Sequence, residues 1–312
     1  MRPAVADFEM DGPRFAAMAE DGRIFIGDAE LGSWDRSAFV AGDPVVDDLP
    51  TAIRWIEGDV LFVGCRRSGL WIVEPVTGAS RNVIATGSVA EIVRHPDGGV
   101  IAGFSNGRLA HVDPEGNVLR SARMPTPERP HEIPSIRRRM AVSPTTREIA
   151  IVSTTVHGKT GKLDLDTWEI TWSPGESVVS YDFDIDFSPD GDRLAVVGRE
   201  RPRNVAVFDF TQDDFTGRIA GHLSNATHVE FIEDGTRLIT AGQDGAVFIS
   251  RPEDSRPIAR LLQLDHAIRW MTVSKDETSI VVVTDEGVNI IRAPKASEDR
   301  TEASDPFAPN AG

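Results

Sequence analysis

The stretch IDFSPDGDRLAVVG, from Ile185 to Gly198, places two apolar runs on either side of a Pro189-Asp190-Gly191 turn. Alternating runs joined by such a turn read as a β-hairpin. VEFIEDGTRLITAG, from Val229 to Gly242, repeats the pattern without a gap. So do MTVSKDETSIVVVT from Met271 to Thr284 and MAVSPTTREIAIVS from Met140 to Ser153. The starts at Met140, Ile185, Val229 and Met271 lie 45, 44 and 42 residues apart. Self-similarity at that period, each unit holding several short strands, is the signature of β-propeller blades.

Weaker copies precede these four: FAAMAEDGRIFIGD from Phe15, IRWIEGDVLFVG from Ile53 and IVRHPDGGVIAGFS from Ile92. Seven units predict an all-β chain, a seven-bladed β-propeller of four-stranded antiparallel blades forming one domain over residues 1–294. The last unit stops at Ala293-Pro294, one strand short, while Val5–Met10 alternates like a spare strand. Laying that N-terminal strand on the last blade would complete it and close the ring without an open edge. The remainder, 295–312 (KASEDRTEASDPFAPNAG), is too polar to bury a face and is expected to be a disordered tail.

Composition narrows the partners. The net charge is −16 over 312 residues, so the surface as a whole repels phosphate backbones, and nucleic acid is an unfavourable partner. The single cysteine, Cys65, rules out an internal disulfide and a cysteine-based zinc site. The N-terminus lacks a signal-peptide apolar core, and no run reaches the length of a membrane span. A cytoplasmic protein with no membrane contact is the expectation.

One unit carries a further pattern. Gly221-His222 precedes its first strand, and Asp244-Gly245 forms the turn between its second and third strands. The unit resembles a blade of the WD-repeat β-propeller family, although Ser250-Arg251 stands where that family closes with Trp-Asp. The resemblance implies that His222, Thr240 and Asp244 form a hydrogen-bonded structural set, and that the chain serves protein–protein interaction as an acidic repeat-protein scaffold.

Three stretches hold candidate chemistry. In YDFDIDF the carboxylates of Asp182, Asp184 and Asp186 project from one strand face, which requires water, a cation or basic partners. Repeat register sets Arg137 level with Asp182 and Arg139 level with Asp184 on the preceding blade, so inter-blade ion pairs are the leading expectation. A metal site on the three aspartates is the minor one. The stretch RSARMPTPERPHEIPSIRRR supplies Arg120, Arg123, Arg129, Arg137, Arg138 and Arg139 to a chain that is otherwise acidic, and so suits an acidic protein or peptide. Trp34, in LGSWDR, is a further contact candidate. STTVHGKT, Ser153 to Thr160, imitates a phosphate-binding loop, but strand-like alternation follows where a helix is required, so it reads as a hairpin tip.

No histidine pair has zinc-helix spacing, and no nucleophile elbow or Cys–His signature is present, so no catalytic residue and no cofactor is expected. The leading function is a non-enzymatic interaction scaffold serving as a subunit of a larger complex. The alternative is a metal-dependent lactonase-like hydrolase, or a sensor of a small ligand, using the central channel.

Overall fold

The computed structural model describes residues 3–8, 12–29, 33–34, 48–124, 140–152, 160–172, 183–199 and 204–292, apart from the single positions 58, 76, 78 and 213. Its strands form seven antiparallel sheets in chain order. The first strands of successive sheets touch their neighbours all the way round, the seventh meeting the first again. The molecule is therefore a seven-bladed β-propeller with those first strands around its axis. They are Pro3–Phe8, Pro50–Ile56, Val89–Arg94, Met140–Val142, Asp184–Phe187, Ala226–Ile232 and Ile268–Val273.

Burial explains the apolar runs. Within Arg193–Val197 of blade 5, Leu194 and Val196 pack towards blade 4 while Ala195 and Val197 pack towards blade 6. Both faces of a blade are covered, so middle strands show continuous apolar sequence instead of a polar side. The recurrent turns have a shared side-chain basis. The Ser188 hydroxyl donates to Asp190 Oδ1 and accepts the Arg193 N–H at 2.9 Å. In blade 7, Ser274 bonds Asp276 and the Ser279 N–H in the same way. Gly191 follows at φ +77°, a conformation that favours glycine.

The N-terminal strand corrects the expected closure. Pro3–Phe8 does not lie on the outside of the last blade. It pairs with Arg14–Ala19 as the innermost strand of blade 1. Among the described residues blade 7 has three strands, Ile268–Val273, Ser279–Thr284 and Val288–Arg292. The ring closes by packing: Val5, Ala6 and Phe8 share one core cluster with Val281 and Val283 of blade 7 and with Ile53 and Trp55 of blade 2. The unit beginning at Phe15 is thus one strand out of register with the other six, being the second and third strands of blade 1. Residues 293–312, where the tail was expected, lie outside the described residues.

Candidate functional site

Three places hold chemistry: the central channel, the blade 6 polar set and the outer strand of blade 3.

The channel is a cavity of about 610 Å³ lined by residues from all seven inner strands. An inner strand has a free edge towards the axis, and its outward N–H groups need acceptors. The preceding blade supplies them. Asp7 Oδ2 accepts the Trp55 N–H at 2.8 Å, Asp186 Oδ2 the Phe231 N–H at 2.7 Å, and Glu230 Oε2 the Val273 N–H at 3.1 Å. These three carboxylates occupy one register slot, opposite Ala16, Ala195 and Ile239 of their own blades. Asp184 adds a second rung, accepting the Val229 N–H at 3.1 Å and its neighbour Ile185 N–H at 3.0 Å.

In blade 2 the same slot holds Arg54, opposite Phe62. Its guanidinium lies 3.6 Å from both Asp7 and Glu91. Arg94 reaches Asp7 at 2.5 Å and the Trp55 carbonyl at 2.8 Å. The channel thus has an ion-paired wall on blades 1–3 and a carboxylate wall on blades 5 and 6. On the carboxylate wall burial dominates: it pushes Asp184 and Glu230 well above the usual carboxylate range, and the neighbouring carboxylates add to this. Burial also raises Asp186, to about 7, against the Phe231 N–H that favours its charge.

The aspartate expectation changes accordingly. Asp184 and Asp186 accept backbone N–H groups of the following blade, a contact that the expectation did not include. Asp182, Arg137, Arg138 and Arg139 lie outside the described residues, as does Arg129. Among the described residues, no three His, Cys, Asp or Glu side chains are grouped to hold a metal ion. Lys-Thr of the phosphate-loop imitation leads into the strand Thr160–Asp164, which has no helix N-terminus to offer a phosphate. Cys65 is buried, and burial pushes its thiol up to about 12, far from a reactive thiolate.

In blade 6 the structure brings His222, Thr240 and Asp244 together. The two ring nitrogens of His222 lie 3.0 Å from Asp244 Oδ1 and 3.0 Å from Thr240 Oγ1. Asp244 Oδ2 accepts the Leu223 N–H at 2.6 Å. Burial works against the Asp244 charge, and His222 together with these N–H donors overcomes it and holds the carboxyl below its usual range. The set is structural: it ties the loop entering blade 6 to that blade's second turn. Leu223, held by its backbone, exposes 84% of its surface.

The third place is the outer strand of blade 3, Val118–Arg123. Five of its six residues are exposed and one is intermediate. No other outer strand whose burial is described matches this: Ser80–Ile84, Asp214–Ile219 and Ala259–Gln263 all sink further into their blades. Val118 and Leu119 are two of the four exposed large apolar side chains among the described residues. Arg120 reaches the Asp166 carbonyl of blade 4 at 2.9 Å. Arg123 lies directly opposite Arg108 on the neighbouring strand. Among the described residues none of Arg108, Arg120 and Arg123 forms an ion pair with a carboxylate. Trp34 sits in the short outer strand Ser33–Trp34 of blade 1.

Sequence reasoning set Glu91 level with Asp184 but missed Asp7, Arg54, Arg94 and Glu230. The signal was present in the inner-strand register, but blade 1 had to be aligned on Val5–Phe8 before Asp7 fell level with Asp186 and Glu230. Compared with known proteins, the sequence matches no family model and no curated relative. No helix among the described residues is long and apolar enough to cross a membrane.

Proposed function

We propose that the protein is a non-enzymatic interaction scaffold, a WD-repeat-like propeller that serves a larger cytoplasmic complex by binding an acidic protein or peptide surface. The observation that carries this reading is the outer strand of blade 3. It is exposed almost throughout and holds Arg120 and Arg123, with Arg108 opposite on the neighbouring strand, none of the three with a carboxylate partner among the described residues, on a chain of net charge −16. Basic groups left unneutralised on an acidic body select partners by charge. The channel supports the same reading, because its carboxylates serve as acceptors for backbone edges and hold blades together. Asp184, the anchor of the alternative metal-hydrolase reading, gives both oxygens to N–H groups.

The test is quantitative affinity capture in the protein's own cell, comparing the wild-type chain with Arg120→Glu/Arg123→Glu. The scaffold reading expects a reproducible protein partner whose yield falls at least tenfold with the charge-reversed chain. An identical set of captured proteins from both chains would remove the basic strand from the function.

A further inference from the structure

We propose that blade 3 receives an acidic, extended segment of a partner protein as a fifth strand along Val118–Arg123. The inference rests on the scaffold reading and adds how the partner is held.

Two features of the strand point to this mode. Among the described residues it pairs on one side only, with Arg108–Val112. Alternate N–H and C=O groups on its other side therefore present an open ladder, the arrangement that strand addition uses. Natural edges are guarded by being short, by charged side chains, Pro or bulges, or by a covering element. Here the guard is incomplete, because Val118 and Leu119 are exposed at 44% and 55% on a six-residue strand.

Charge selects the occupant. Arg108 and Arg123 are direct cross-strand partners, and like charges in that position repel at a Cβ separation of about 5 Å. Arg108 lies over the Phe104 ring, 5.3 Å from its centroid, which fixes it on that face. An added strand bearing a carboxylate next to Arg123 relieves the repulsion. The opposite face offers Arg120 beside Ala122, which packs in the cluster shared with blade 4. Arginines three apart in a strand face opposite sides, so a complementary segment carries acidic side chains on both faces. Apolar side chains between them would cover Val118 and Leu119.

The test uses the full-length protein and three labelled heptapeptides. The first is acetyl-Thr-Glu-Val-Val-Glu-Val-Thr-amide, whose two glutamates, three apart, face opposite sides. The second has the same sequence with alternate amides N-methylated, which keeps the charge and blocks one hydrogen-bonding edge. The third has Lys for Glu. Affinity is read by fluorescence anisotropy, and the contact by amide hydrogen exchange. The expected result is one-to-one binding of the first peptide, with new protection confined to Val118–Arg123. Binding is at least tenfold weaker for the other two peptides and for Arg120→Glu/Arg123→Glu. Arg218→Glu, on the exposed face of the blade 5 outer strand, leaves it unchanged.

Equal binding of the N-methylated peptide, with loss on the arginine variant, would overturn strand addition and leave the basic-surface reading standing. Binding of the acidic peptide that ignores the arginine substitutions would overturn both. Absence of binding by every peptide would overturn the strand site. Protection of Val118–Arg123 that grows with protein concentration in the peptide-free protein would assign the edge to a second copy instead.

Discussion

Asp244 shows how one side chain can fix a blade. It accepts from the Leu223 N–H and bonds His222, which is buried and bonds Thr240 in turn. Asp244→Ala would leave a buried ring nitrogen and a backbone donor without acceptors, at about 1–3 kcal/mol for each. A loss of about 2–4 kcal/mol in urea unfolding is expected, with Asp244→Asn costing about half because it keeps one acceptor. A loss below about 0.5 kcal/mol would show that the set carries no stability. These three residues were legible through the resemblance of the blade to a WD repeat, carried by Gly221-His222 and Asp244-Gly245. The Arg108–Arg123 pair was not. Counting back from the turn at Asp113–Asn117 sets Arg108 against Ala122. The register shift between His111 and Val112 inserts one residue and brings Arg123 opposite instead.

At the scale of the strand, the decisive element is Pro3–Phe8. Two Asp-Gly turns, at Asp11 and Asp21, bracket Arg14–Ala19, and turn chemistry alone allows either to begin the first repeat. Burial decides between them, because Phe15–Ala19 is fully enclosed and needs a strand on its axial side as well as its outer side. The inner position gives Asp7 two duties, capping the Trp55 N–H and neutralising Arg94. Asp7→Ala removes both and leaves a partly buried cation, so a loss of about 2–3 kcal/mol is expected. On the outside of blade 7 the same residue would be solvated, and the substitution would stay within about 0.5 kcal/mol. Urea denaturation of this single variant separates the two arrangements. Seven repeats were legible because the hairpin pattern is local. Ring closure was not, because it depends on which of two equivalent strands finds a neighbour across the whole chain.

At the scale of the molecule, the channel sets the pH response. Asp186 is raised to about 7, and Asp184 and Glu230 well above their ordinary range, so these groups take up protons on folding. Between their unfolded values near 4 and their folded ones the native state holds more protons than the unfolded chain. Their contribution to stability is complete below pH ~4 and declines as pH rises through 7. His95 acts in the opposite sense. Burial and its stacked neighbour His111 lower it to about 4, so its contribution is present above pH ~6.5 and is lost as pH falls towards 4. Three carboxylates against one imidazole leave a net decline from about pH 5 to 8, at about 1.4 kcal/mol per pH unit for each proton retained. Asp186→Asn resembles the neutral carboxyl and still accepts the Phe231 N–H. It should flatten the decline by about one proton's slope and cost little at pH 5. Melting temperatures of the wild type and this variant across pH 4.5–8.5 make the measurement. Parallel profiles would mean that Asp186 is ionised in the folded channel throughout. The carboxylate wall would then stand as a fixed negative charge facing Arg54, and the titrating group would have to be sought elsewhere in the ring.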